Sequence, residues 1–294
     1  MNIVPDDFLP HLAIGDWFAN LVDWVYANLQ GLLDFIGWLL EDTLYNHISE
    51  GLNWVPPLIM ALILALLGLA VRGWKFGLGA LIGMLVIQSM RWWEHSMDTL
   101  TLVLIAACIA MVLAIPIGIL AARSPTASNI VRPIMDFMQT MPAFVYLIPT
   151  LYFFSIGPTP GIVSTVVFAM PPGVRLTELG IRQVDPEMVE AGQAFGAHPR
   201  DILSRVQIPL AMPTIMAGIN QVIMLSLSMV VIAGIVGAGG LGADVYSGIT
   251  RLNIAKGFSA GVALVILAIY LDRLSAGLGD RSAVGRAEKK VANR

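Results

Sequence analysis

Chemistry on a protein needs nucleophiles, acids, bases or metal ligands at workable spacing, and this 294-residue chain is poor in all of them. His11, His47, His95 and His198 lie far apart, and Cys108 is the single cysteine. Trp93-Glu94-His95 does not extend to H-E-x-x-H, and no Cys/His pair has metal-ligand spacing. No Ser/His/Asp pattern stands out. The stretch Gly237-Ala238-Gly239-Gly240-Leu241-Gly242 matches G-x-G-x-x-G, but a dinucleotide turn needs a strand before it and a helix after it. An apolar run precedes it here, so a tight turn or close packing is the expectation. No G-x-x-x-x-G-K-[ST] occurs, so the chain is not expected to hydrolyse ATP by itself. Neither a resident cofactor nor a metal is expected.

Polar residues inside apolar runs are better candidates, because exposing them to lipid is costly. Asp136 and Gln139 open one such run, and Asn220, Gln221, Ser226 and Ser228 lie within another. Phe144, Tyr146, Tyr152, Phe153 and Phe154 crowd the first of these runs. A pathway through the membrane would draw on Gln139, Phe144, Tyr146, Gln221, Ser226 and Ser228. The aromatic faces would let a quaternary ammonium group slide past by cation–π contact. Interhelical hydrogen bonding and core packing are the alternative roles.

The elements that must position these residues follow from composition. The chain is 57% hydrophobic and 13% charged, against ~45–50% and ~25% in soluble domains. Mean hydropathy is +0.77. Runs such as 55–71 and 100–122 make this an all-α polytopic membrane protein. That argues against a soluble enzyme, a disulfide scaffold or a nucleic-acid binder. The pattern predicts about seven spans, near 55–71, 76–90, 98–122, 134–155, 161–175, 213–236 and 257–274. The first two are short for a ~30 Å hydrocarbon core, so a five-span core with two weaker apolar segments is the alternative count.

Charge sets the orientation. Residues 1–54 hold eight acids and no Lys or Arg, whereas residues 273–294 hold six bases. Placing the N-terminus outside puts 14 of the 17 bases on the inner side and three on the outer. No basic stretch followed by an apolar one opens the chain, so no cleaved signal peptide is expected. Trp17, Leu21, Trp24, Val25, Leu32 and Ile36 recur at roughly helical spacing between Asp16, Asp23 and Asp34. This predicts an interfacial helix over 14–40 on the outer leaflet, in contact with membrane lipid.

Residues 176–212 form the longest polar stretch between spans, on the inner side. Asp185-Pro186 starts a helix, Asp as cap and Pro at the first position. Gly196 closes it in a left-handed conformation, and Pro199 forbids simple continuation. A second short helix is predicted from Pro199 to Gln207, breaking at Pro209 and Pro213. Two such helices folded back at the membrane surface make a compact docking knob.

The knob carries a recognisable pattern. Glu190-Ala191-Gly192, then Gly196, then Val206-Gln207-Ile208-Pro209 resembles the cytoplasmic motif of permease subunits of binding-protein-dependent ABC importers, at the same spacing. The departures are Gly192 for a second Ala, and Val206 and Ile208 for Ile and Leu. A narrower resemblance covers about 98–275. Residues 138–146 (MQTMPAFVY), 209–218 (PLAMPTIMAG) and 268–274 (AIYLDRL) look like the glycine betaine/proline betaine permeases of osmoprotectant importers.

The resemblance implies a type I ABC importer transmembrane domain acting as a permease homodimer. Two cytoplasmic ATPase subunits would carry ATP and Mg, and an extracytoplasmic binding protein would deliver substrate. Glu190, Ala191, Gly192, Phe195, Gly196, Val206, Ile208 and Pro209 would form the ATPase-coupling surface. The implied organisation is an extracytoplasmic segment at 1–54, an accessory hairpin at 55–97, a core at 98–275 and a basic cytoplasmic tail at 276–294. The expected cargo is a quaternary ammonium compatible solute. Choline, methionine or another small polar solute is the alternative, and a stand-alone secondary transporter the more distant one, since no intramembrane acid pair stands out.

Overall fold

Backbone inside a bilayer must satisfy its own hydrogen bonds, so the apolar runs fold as helices. The computed structural model describes residues 13–279, and every regular element among them is helical. The order is α1 (Ile14–Trp38), a π-helical turn (Leu39–Tyr45), α2 (Asn46–Trp54), α3 (Pro57–Arg72), α4 (Trp74–Ser89), α5 (Trp93–Arg123), α6 (Pro125–Thr140), α7 (Ala143–Phe154) and α8 (Pro158–Arg182). There follow α9 (Pro186–Ala194), α10 (Pro199–Ile202), a second π turn (Leu203–Gln207), α11 (Ile208–Ala233), a 3-10 turn (Gly234–Val236), α12 (Gly240–Thr250) and α13 (Ile254–Gly279).

The core is α8 gripped between α5 and α11. Lipid offers no hydrophobic drive to bring helices together, so close packing of small residues must do it. A methyl group added at Gly118 of α5 would stand 2.6 Å from Thr177 Cβ and 2.7 Å from the Val174 carbonyl of α8. One added at Gly173 of α8 would meet Ala114 of α5 at 3.0 Å and Val222 of α11 at 3.1 Å. Gly118→Val should therefore destabilise the α5–α8 contact by about 1–3 kcal/mol through overpacking. A lowered melting temperature of the detergent-purified chain checks this, and an unchanged one refutes the close crossing.

Among the described residues, four helical stretches, Trp93–Arg123, Pro158–Arg182, Pro199–Val236 and Ile254–Gly279, are long and apolar enough to span, and two bent pairs raise the count to six. The shorter apolar α4 (Trp74–Ser89) is the seventh candidate, so the expected seven are reached only if this short helix also crosses. The run 134–155 is not one helix. It breaks at Met141-Pro142 into α6 and α7, which meet at 97°. Met141 is extended (φ −70°, ψ 134°), as a residue before proline prefers. Hydropathy averages across such a corner without registering it.

The prolines at 209 and 213 do the reverse of what was expected. Helix continues through both, and Pro199–Val236 forms one stretch of 38 residues. Pro209 directly follows the π turn, where the hydrogen-bond register is already relaxed. The polar stretch 176–212 accordingly shrinks. Residues 176–182 belong to α8, and only α9 and its two connections stand apart from the long helices.

The predicted amphipathic helix exists and runs on from α1 through the π turn and α2 to Trp54, then turns 105° into α3. It is fastened to the core by polar contacts. Thr159 at the start of α8 donates to Glu41 at 2.9 Å. Ser49 and Asn53 donate to Asp98 of α5 at 2.6 and 3.2 Å. The glycine-rich stretch is the close-packed turn expected: Gly237, Gly239 and Gly240 all have positive φ, and Leu241 N–H donates to Thr99 at 2.8 Å. It leads into α12, a helix the hydropathy pattern did not show. The basic tail beyond Gly279 and the acids Asp6 and Asp7 lie outside the described residues.

Candidate functional site

The knob helix α9 is set by its own ends. Asp185 accepts from Glu187 N–H at 2.9 Å, satisfying one free donor of the first turn, and Pro186 follows at the first helical position. At the other end, Ala197 N–H donates to Gly192 at 3.1 Å and Gly196 N–H to Gln193 at 2.9 Å. These two bonds with Gly196 at φ +75° make a Schellman cap. His198 then starts α10 by accepting from Arg200 N–H at 3.2 Å. An element of nine residues is thus fixed at both ends and cannot fray freely.

The knob is also seated. Val189 and Leu203 pack on Ile181, Val184, Ala211 and Ile215, next to Ile115, Ile119 and Ala122. Ile202 is buried beneath Gly192, where an added methyl would lie 3.3 Å from its side chain. This contact joins α10 to α9. Of the predicted coupling residues, Glu190, Ala191, Phe195, Gly196 and Pro209 are exposed, while Gly192, Val206 and Ile208 are half-buried. Phe195 is 92% exposed on a rigid helix end. A large aromatic ring held out in this way is the geometry of an interface anchor.

One turn above the knob lies a charge cluster that sequence reasoning missed. Glu178 of α8 is only 3% exposed. It accepts from Ser128 at 2.7 Å and Arg132 at 3.0 Å, both on α6, and pairs with Arg182 at 3.0 Å. Arg182 also donates to the Ala121 carbonyl of α5 at 2.9 Å. Asp136 of α6, read as a polar span residue, pairs with Arg175 of α8. The cluster therefore clamps α5, α6 and α8 together immediately beside the knob. Its only local signal was the i,i+4 spacing of Glu178 and Arg182.

The predicted pathway residues divide into two groups. Gln139, Phe144, Gln221 and Ser228 are exposed. Gln221, Met224 and Ser228 share one exposed stripe of α11 at helical spacing, within an otherwise apolar helix. Tyr146 and Ser226 lie in the interior instead. Tyr146 donates its hydroxyl to the Met138 carbonyl across the corner between α6 and α7, and its ring meets Phe168 edge-on. Ser226 donates to Val222 at 2.8 Å within α11. Asn220 joins α11 to α13, donating to Asp272 at 3.0 Å and accepting from Ser275 at 2.6 Å. His95 is engaged with Asp244 of α12, whose other oxygen pairs with Lys256 at 2.9 Å.

Residues 114–282, most of the core and all of the knob, match the family described as binding-protein-dependent transport system inner membrane component. The chain is 46% identical over 269 residues to the glycine betaine transport system permease protein OpuAB of Bacillus subtilis (strain 168), covering 92% of this chain and 95% of that protein. It is 43% identical over 283 residues to the glycine betaine/proline betaine transport system permease protein ProW of Escherichia coli (strain K12), covering 96% and 78%. Among solved structures it resembles an inward-facing conformation of the MetNI methionine ABC transporter, at a TM-score of 0.53 and 26% identity over 64% of this chain and 92% of that one. A helical core gripped around α8, a capped surface knob and this family match describe one kind of molecule: the chain belongs to the binding-protein-dependent transport system inner membrane components.

Proposed function

We propose that the chain is the translocation subunit of an ATP-driven importer for quaternary ammonium compatible solutes such as glycine betaine or proline betaine. The observation that carries the cargo class is the near full-length similarity to two permeases named for those solutes. The observation that supports ATP coupling is the rigid, capped α9 with its exposed Phe195. In this reading two separate ATPase subunits receive the knobs and supply ATP and Mg. A separate binding protein presents the solute on the opposite face.

The same reading assigns the remaining parts. In this reading two copies face each other across the α11 stripe, with Gln221 and Ser228, and with Gln139 and Phe144 at the corner between α6 and α7, exposed to the solute. Tyr146 and Ser226 hold the corner and the helix that carry that face. The 14-to-3 division of basic residues, counted over seven spans with α4 among them, supports an N-terminus outside and a C-terminus inside. The exposed Trp17, Leu21 and Trp24 lie along the outer leaflet.

The test is uptake of labelled glycine betaine into liposomes holding this chain with its ATPase, and the binding protein on the side opposite the ATPase. Uptake should require ATP on the ATPase side and the binding protein on the other, and unlabelled proline betaine should compete. Uptake driven by an ion gradient alone, or competed by methionine and not by betaines, would refute the assignment.

A further inference from the structure

Where α1 lies against α7, the chain forms a pocket that none of the coupling or pathway roles uses. It encloses about 310 Å³ and is lined chiefly by Phe18, Val22 and Asp23 of α1 and by Ile148, Pro149 and Tyr152 of α7. Tyr152 donates its hydroxyl to Asp23 Oδ1 at 2.7 Å, which holds the carboxylate at the pocket wall. Tyr26 meets the Tyr152 ring edge-on, with centroids 5.5 Å apart. Neither α1 nor α7 contains a Lys, Arg or His, so no cation on either element cancels the Asp23 charge.

Three features decide what such a pocket takes. Its wall is mostly apolar, which disfavours a strongly hydrated ion. Its one charge is negative, which disfavours a free anion. Its lining includes the aromatic rings of Phe18 and Tyr152, and a ring face attracts a weakly hydrated cation. Bulky alkylated ammonium groups meet all three conditions, whereas a bare ammonium or metal ion keeps its water too tightly. We infer that this pocket binds a quaternary ammonium head group, with Phe18 and Tyr152 contacting its methyl groups and Asp23 facing its charge. The pocket is open on one side, so it suits brief occupancy rather than storage. The solute proposed above and a choline-type lipid head group share this chemistry; choosing the free solute as occupant rests on that proposal.

The experiment uses the full-length chain in nanodiscs of phosphatidylethanolamine and phosphatidylglycerol. Saturation transfer difference NMR reads three probes: glycine betaine, tetramethylammonium and tert-butylacetate. The last has the shape and carboxylate of glycine betaine but a carbon in place of the cationic nitrogen. Transfer should reach the methyl protons of both ammonium probes and be about fivefold weaker for tert-butylacetate. It should fall by about fivefold in Asp23→Asn and in Phe18→Leu/Tyr152→Leu. Equal transfer to glycine betaine and tert-butylacetate in the native chain overturns the site even if a variant fails to fold. Undiminished transfer in both variants also overturns it.

Repeating the measurement with phosphatidylcholine nanodiscs separates the two sources. Loss of the betaine signal there assigns the pocket to the lipid head group, and its persistence assigns it to the free solute. Uptake by the assembled importer is read alongside. Variant-sensitive tetramethylammonium binding without betaine uptake supports the pocket and sinks the cargo proposal. Betaine uptake with no variant-sensitive binding sinks the pocket alone.

Discussion

Phe195→Asp is expected to reduce ATP-driven uptake by the assembled importer about 30-fold or more, while the chain stays folded and in the membrane. The ring is 92% exposed in the isolated chain, so its loss opens no cavity. Its value lies in what it meets. A central aromatic anchor contributes about 2 kcal/mol or more to an interface, which is about 30-fold in affinity. A carboxylate in the same place adds the cost of desolvating a charge. Gly196→Arg should act in the same direction by a different route. Gly196 holds φ +75°, and a side chain there strains the cap that aims Phe195. Solute uptake with the native ATPase partner, beside protein level in the membrane fraction, is the measurement. Native uptake by both variants would remove α9 as the coupling element.

Glu178→Leu should instead damage the fold itself. Removing one partner of a buried ionic cluster leaves the others unsatisfied, at a cost of about 3–5 kcal/mol. Here Ser128, Arg132 and Arg182 would all lose their acceptor. The two guanidinium groups are partly open to solvent, so the loss should fall toward the lower end, about 3 kcal/mol. Glu178→Gln keeps an acceptor for Ser128 and should cost less. Melting temperature in detergent and the amount of chain recovered from membranes check both. Equal stability of Glu178→Leu and the native chain would mean that the cluster holds nothing together.

The contrast between these residues shows what was legible in the sequence. The ends of α9 could be read from Asp185, Pro186 and Gly196 because a cap is a local event, settled within a few residues. The proposed coupling surface was read from the same stretch, whose motif spacing survives in one dimension. Glu178 could not be read that way. Apart from Arg182, its partners lie 46 and 50 residues earlier, and only the packing of α6 on α8 brings them together. The corner at Met141-Pro142 was lost because the residues on both sides are apolar, and composition carries no direction. Pro209 and Pro213 misled for the opposite reason. Proline is a breaker in mid-helix, yet it is tolerated beside a π turn and where neighbouring helices re-satisfy the freed carbonyls. The inward placement of Tyr146 and Ser226 likewise depended on which face α7 and α11 turn toward α8.

Among the four long helices, α8 is the least apolar and the most enclosed by protein. A segment carrying Arg175, Glu178 and Arg182 has little claim on lipid by composition, so its partition into the bilayer during synthesis must depend on company. Half of that company is made first. Ribosomes complete α5 and α6 before α8 begins, so the carbonyl of Ala121 and the side chains of Ser128 and Arg132 are present when Glu178 and Arg182 emerge. Chain order here doubles as an assembly schedule: the polar partners of the central helix precede it, and α11 closes on its other side afterwards.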